Sequence, residues 1–168
     1  MGKKVLILSA SPRKGGNSDT LCDQFLRGAK ESGHQVEKIF LRDNCTGCVI
    51  CSQSHRCAQD DDMAEVLEKM VRADVIVMAT PVYFYTMNAQ MKTLIDRVAP
   101  RYSEVSDKEF YYLLTAADSD PKMLERTLEC FRGFTEDCLT NPQERGVVYG
   151  VGLWEIGDVQ KSPALKQA

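Results

Sequence analysis

Short apolar runs alternate with stretches of helical periodicity five times along this chain, and that alternation limits the folds open to it. The apolar runs are Val5 to Ser9, Val36 to Leu41, Ala73 to Ala79, Phe110 to Thr115 and Val147 to Val151. Between them, apolar residues recur at three- and four-residue spacing: Leu21, Phe25, Leu26 and Ala29, then Met63, Val66, Leu67 and Met70, then Met91, Leu94, Ile95 and Val98. A fourth helix opens at Pro121, with Leu124, Leu128, Phe131, Phe134 and Cys138 turned inward, and a last one starts at Ser162-Pro163. Strands that are apolar on both faces and joined by helical crossovers form a parallel sheet with helices above and below it. The expected fold is therefore α/β: a doubly wound, five-stranded parallel sheet in three layers. Glu37 and Lys38 put the second strand at a more solvated edge.

At 168 residues the chain suits one domain, taken here as residues 1–168 with a cysteine-rich insertion at 44–60. A net charge of -3 gives no reason to expect nucleic acid or an anionic membrane as partner. No apolar run approaches the roughly 20 residues that span a bilayer. Met1 to Leu8 is basic and then apolar, like an export signal, but it is too short and runs into Ser11-Pro12-Arg13, so it reads as a first strand. Leu6, where serine or threonine is wanted, argues against myristoylation at Gly2. A cytoplasmic location is expected. Seven cysteines then point away from a disulfide framework and toward metal or redox chemistry. Cys22, Cys130 and Cys138 sit in helical segments and read as small packing residues.

In a parallel sheet of this type, ligands bind beyond the C-terminal ends of the strands. The loop there after the first strand is Ser9-Ala10-Ser11-Pro12-Arg13-Lys14-Gly15-Gly16-Asn17-Ser18. It brings hydroxyls, a guanidinium, an amide and the free N–H groups of a helix start, which are the donors a phosphate needs. Neither G-x-G-x-x-G nor G-x-x-x-x-G-K-[ST] is present. A phosphomonoester such as that of FMN suits this loop better than a pyrophosphate. On composition alone, a polar turn with a helix cap explains it equally well.

The loop after the third strand, Thr80-Pro81-Val82-Tyr83-Phe84-Tyr85-Thr86, carries three consecutive aromatics. They could supply the apolar platform an isoalloxazine ring needs, or plug the core. Four cysteines, Cys45, Cys48, Cys51 and Cys57, follow the spacing C-x2-C-x2-C-x5-C. Three thiolates at that spacing can wrap one face of a cubane cluster, with the fourth closing it. Zinc more often takes two separated pairs, with His55 as a substitute ligand here, and a redox disulfide needs only two of the thiols. Asp60, Asp61 and Asp62 read as the cap and solvated first turn of the next helix. Lys92 and Arg97 read as solvated helix charges, and His34 as a turn residue. Neither a nucleophile elbow nor an acid–base constellation stands out, which favours redox chemistry over hydrolysis.

The string Ser-Pro-Arg-Lys-Gly-Gly-Asn-Ser, and the segment Pro81-Val82-Tyr83-Phe84 through Arg97, resemble the NADPH-dependent FMN reductase group of flavodoxin-like proteins. The cysteine spacing and the tail Gly152 to Asp158 are similar to the iron-sulfur flavoproteins within that group. The resemblance implies FMN phosphate contacts at Ser9, Ser11, Arg13, Asn17 and Ser18. It implies flavin contacts at Pro81, Val82, Tyr83 and Phe84, with Thr115 and Ala116 closing the other side of the ring. It further implies a [4Fe-4S] cluster on Cys45, Cys48, Cys51 and Cys57, and homodimers or homotetramers in which cluster and flavin meet. It also implies a last helix that runs on beyond Ala168. The expected function is FMN-dependent electron transfer coupled to that cluster. Redox partners on this reading are ferredoxin, NAD(P)H, a quinone or an oxygen species. A cluster-free NAD(P)H-dependent FMN or quinone reductase, and a non-enzymatic zinc- or thiol-based redox sensor that binds flavin, are the competing readings.

Overall fold

The computed structural model describes residues 2–41 and 50–168, without the side chains of Cys51 and Ser52. These residues form strands β1 (Lys4–Ser9), β2 (Gln35–Phe40), β3 (Val75–Tyr83), β4 (Thr86–Met87), β5 (Glu109–Thr115) and β6 (Gln143–Gly150). The helices are α1 (Asn17–Glu31), α2 (Cys51–Ser54), α3 (Met63–Arg72), α4 (Ala89–Arg97), α5 (Glu125–Cys138) and α6 (Ala164–Gln167). Five strands pair in parallel in the order β2-β1-β3-β5-β6, as the alternation predicts. The sequence did not announce β4, a two-residue strand that folds back antiparallel on the end of β3.

Neighbouring residues of a strand point to opposite faces, so each buried strand feeds two cores. Leu6 and Leu8 of β1 pack with Met63, Val66 and Met70 of α3, Met91 and Leu94 of α4, and Leu128 and Phe131 of α5. Val5 and Ile7 pack on the other face with Leu21 and Cys22 of α1, and Val159 and Ala164 near α6. The rings of Tyr112 and Phe131 stack 5.0 Å apart and nearly parallel, and the Tyr112 hydroxyl bonds Thr135 at 2.8 Å. Burial pushes the Tyr112 phenol up to about 12.

Two details depart from expectation. Pro121 opens a 3-10 turn, Pro121–Leu124, ahead of α5, and the Asp120 carboxylate accepts the Lys122 N–H at 3.0 Å. Cys22 is buried as a packing residue, but Cys130 and Cys138 are exposed, because α5 turns only its Leu128, Phe131 and Phe134 side to the sheet. Among the described residues no helix is long and apolar enough to cross a membrane.

The chain goes from β1 outward to β2, then crosses back to β3 on the other side of β1. That reversal leaves a crevice beyond the C-terminal ends of β1 and β3.

Candidate functional site

The loop leaving β1 turns tightly. Gly15 sits at φ +71°, and a Cβ on Gly16 would come within 3.0 Å of Arg13. The Ser11 hydroxyl donates to the Arg13 carbonyl at 3.1 Å and accepts the Arg13 N–H at 3.3 Å. Helix α1 then begins at Asn17, and first-turn N–H groups have no acceptor inside a helix. Ser18 is buried, with its hydroxyl 2.6 Å from that of Thr115 at the end of β5.

Asn17 does not cap its own helix. Its Nδ2 donates to the Glu155 carbonyl at 2.9 Å, and its Oδ1 accepts from the N–H groups of Gly157 at 3.2 Å and Val159 at 3.3 Å. Asp158 steadies the same loop by accepting from the Trp154 and Glu155 N–H groups at 2.9 and 2.7 Å. The segment 152–156 is also pinned to the loop after β5. There the Leu153 N–H donates to the Ala116 carbonyl at 2.8 Å, and the Gly152 N–H to that of Asp118 at 2.7 Å.

The aromatic loop is a hairpin tip. Tyr83 of β3 faces Thr86 of β4, and the two residues between them, Phe84 and Tyr85, both have positive φ, +49° and +65°. A two-residue hairpin with both φ values positive is a type I′ turn, which favours asparagine and glycine rather than bulky aromatics. Phe84 is 97% exposed at the tip. Asn88 anchors the loop from beneath. Its Oδ1 caps α4 through the Met91 N–H at 3.2 Å, and its Nδ2 donates to the Ala10 carbonyl at 2.5 Å. The loops after β1 and β3 are thus joined by one buried amide.

Between these loops lies a cavity of about 520 Å³, lined by Ser11, Arg13, Gly16, Asn17, Ser18, Pro81, Val82, Tyr83, Phe84, Thr115, Ala116, Ala117, Leu153, Trp154 and Ile156. Ten of the eleven organic-cofactor positions expected from sequence line this one cavity; the eleventh, Ser9, is fully buried behind it. One end offers hydroxyls, a guanidinium and helix N–H groups, and the other an apolar, aromatic slot. Those two chemistries suit a molecule with a phosphate at one end and a flat ring at the other, so the donor set fits FMN. Sequence reasoning missed the third wall. Trp154, 71% exposed, and Ile156 line the same cavity as the aromatic hairpin. Their signal was two large apolar residues in a glycine-flanked polar loop.

Of two charges expected in solvent, Arg97 is buried and Lys38 is half-buried with its side chain largely covered. The Lys38 side chain is 11% exposed and lies between Asp19, at 2.7 Å, and Asp23, over the ring of Phe40. Burial favours its neutral form, but the two carboxylates outweigh burial and hold Lys38 above its ordinary value. Arg97 is 3% exposed. Its guanidinium donates to Asp61 at 2.7 Å and to the Cys57 thiol at 3.4 Å, while its Nε has no partner among the described residues. Burial opposes the charge of Arg97, and Asp61 and Cys57 more than restore it. Burial also raises the Cys57 thiol, but the N–H groups of Arg97 and Gln59 bring it below its ordinary value overall. Lys92 is exposed and pairs with Asp96, as expected of a solvated helix charge.

Of the expected cluster ligands, Cys45 and Cys48 lie outside the described residues, as does the side chain of Cys51. Among the described residues no three metal-ligating side chains gather.

Fold and cavity together define a flavodoxin-like protein of the FMN-binding kind. The profile of the NADPH-dependent FMN reductase family matches residues 3–125, and the chain belongs to that family. It is 39% identical over 101 residues to an iron-sulfur flavoprotein of Archaeoglobus fulgidus, covering 58% of this chain and 46% of that one. It is 41% identical over 101 residues to an iron-sulfur flavoprotein of Methanocaldococcus jannaschii, covering 58% and 52%. The chain thus spans about half the length of the curated relatives it matches. Among solved structures, an NAD(P)H:quinone oxidoreductase from Methanothermobacter marburgensis shares the fold at a TM-score of 0.76 and 19% identity, over 99% of this chain and 92% of that one.

Proposed function

We propose that this protein is an FMN-dependent electron-transfer oxidoreductase that couples FMN to a [4Fe-4S] cluster held by Cys45, Cys48, Cys51 and Cys57. The observation that carries the flavin half is the single cavity in which a hydroxyl- and guanidinium-lined loop faces an aromatic hairpin. The cluster half is supported by the C-x2-C-x2-C-x5-C spacing and by relatives named iron-sulfur flavoproteins. The buried Arg97 also supports it, since the N–H it gives to Cys57 favours a thiolate there.

When bound, FMN takes up two electrons as a hydride and releases them singly. The chain contributes position and surroundings. Arg13, Ser11 and the N–H groups opening α1 hold the phosphate. Pro81 to Phe84 carry one side of the ring system, while Thr115, Ala116 and the Trp154 loop shield the other. Asn88 and Asn17 fix the spacing between those walls. Ser9 acts from behind the loop through Asp19, which it meets at 3.3 Å. Ferredoxin, NAD(P)H, a quinone or an oxygen species supplies or removes the electrons. A homodimer or homotetramer would bring the cluster of one chain to the flavin of another.

The test is an absorption spectrum with iron and sulfide assays on protein purified without oxygen. Flavin bands with about four irons per chain are expected. Flavin without iron would replace this reading with an NAD(P)H-dependent FMN or quinone reductase whose thiols hold no cluster. Zinc in place of iron, without turnover, would point to a redox-sensing module. Failure to bind flavin would overturn the proposal.

A further inference from the structure

A carboxylate lies directly beneath the loop assigned to the phosphate, where simple electrostatics would not put it. Asp19 is 3% exposed, in the first turn of α1. Its Oδ2 accepts the Gly15 N–H at 2.8 Å, and its Oδ1 accepts from Lys38 at 2.7 Å and from the Ser9 hydroxyl at 3.3 Å. Lys38 is shared with Asp23, so two carboxylates face one ammonium and the group has no surplus positive charge to attract an anion. Attraction is not its task.

Geometry is. Gly15 is exposed and in the left-handed region, and a Cβ there would meet nothing within 4 Å. The bond from Asp19 to Gly15 therefore covers no apolar surface. What it fixes is the course of the turn between Ser11 and Gly16, in which a Cβ on the next residue would already crowd Arg13 at 3.0 Å. We propose that Asp19, held by Lys38, is the positioning residue that keeps this turn in its phosphate-receiving shape. Lys38 in turn makes a buried carboxylate tolerable beneath a loop that would receive a second anion. The inference rests on the FMN reading above and assigns to Asp19, Lys38 and Ser9 a role behind the loop rather than on the ligand.

Flavins with and without a phosphate separate this role from general support of the fold. The full chain, freed of flavin, is titrated with FMN and with riboflavin, following flavin fluorescence. Asp19→Ala is expected to weaken FMN binding by at least about tenfold and riboflavin binding by less than about twofold. Lys38→Met, which leaves the carboxylate buried without its cation, is expected to weaken FMN by about tenfold. The double variant Asp19→Asn/Lys38→Met keeps an oxygen for the Gly15 N–H without the charge, and should recover FMN affinity to within about threefold of the parent. A folded Asp19→Ala that loses both flavins equally, or neither, overturns the proposal. If Asp19→Ala does not fold, a double variant no better than Lys38→Met overturns it. An unsubstituted chain that binds riboflavin as tightly as FMN overturns the phosphate-loop reading itself, and needs no variant to show it.

Discussion

Asn17 and Glu155, 138 positions apart, are joined by one amide-to-carbonyl hydrogen bond of 2.9 Å, and the same side chain receives two backbone N–H groups from the Glu155 loop. One residue therefore fixes the distance between the phosphate end of the cavity and its last wall. Asn17→Ala should release that wall, costing about 1–3 kcal/mol of stability and weakening FMN binding by about tenfold. Trp154, the chain's single tryptophan, stands on that wall and supplies the readout. FMN should quench its emission in the parent, with the titration midpoint displaced in the variant. An unmoved midpoint would mean that the Glu155 loop is held without Asn17.

The hairpin tip predicts opposite effects on stability and binding. Phe84 occupies a φ of +49°, which glycine adopts without steric cost, and its ring is almost wholly in solvent. Phe84→Gly should leave the fold as stable or up to about 1 kcal/mol more so, while lowering flavin affinity. Urea unfolding and a flavin titration check the two halves. Unchanged flavin affinity would remove Phe84 from the ring platform.

Acid sensitivity should have a source far from the cavity. Glu109 accepts from Lys3 at 2.5 Å and from Arg145 at 2.9 Å, and the Lys3 bond above all holds its carboxyl below the ordinary value of 4.5. A carboxyl depressed in the folded state stabilises the fold at pH values above its unfolded value, and that contribution is lost as pH falls through the folded value. Glu109→Gln should therefore lower the urea midpoint at pH 7, with the gap to the parent closing below about pH 4.5. A gap that widened in acid would contradict this assignment.

Phe131, stacked on Tyr112 and fully buried, tests the separation of core from site. Phe131→Ala should cost about 3–5 kcal/mol of unfolding free energy. The folded fraction should still bind flavin with the parent's affinity, because Phe131 lies in the core and lines no part of the cavity. A matching loss of affinity would show that core and cavity are coupled.

The five parallel strands were legible because four carry a continuous apolar run and the edge strand β2 keeps Val36 and Ile39 around its two charges, and the cavity because both of its main loops follow continuous runs directly. The hairpin was not, since Phe84-Tyr85 carries no turn chemistry and β4 is two residues long. Lys38 and Arg97 were read as solvated because a charge in sequence gives no sign of its partner, and theirs stand 19 and 36 positions away. Asn17 and Ser18 were recognised as site residues, but not their ties to Glu155 and Thr115. Those depend on β5 and the tail arriving beside α1, which only the assembled sheet brings about. The Trp154 wall depends on the same assembly, because the segment Gly152 to Asp158 meets the cavity only where the tail returns beside α1.

That wall also has a consequence in time. Leu153, Trp154 and Ile156 follow every strand of the sheet, so a chain still being synthesised can have made both main loops and yet lack the surface that completes the cavity. Flavin would then be taken up after the last strand is in place, and cells short of FMN should accumulate the finished but less protease-resistant form of the protein.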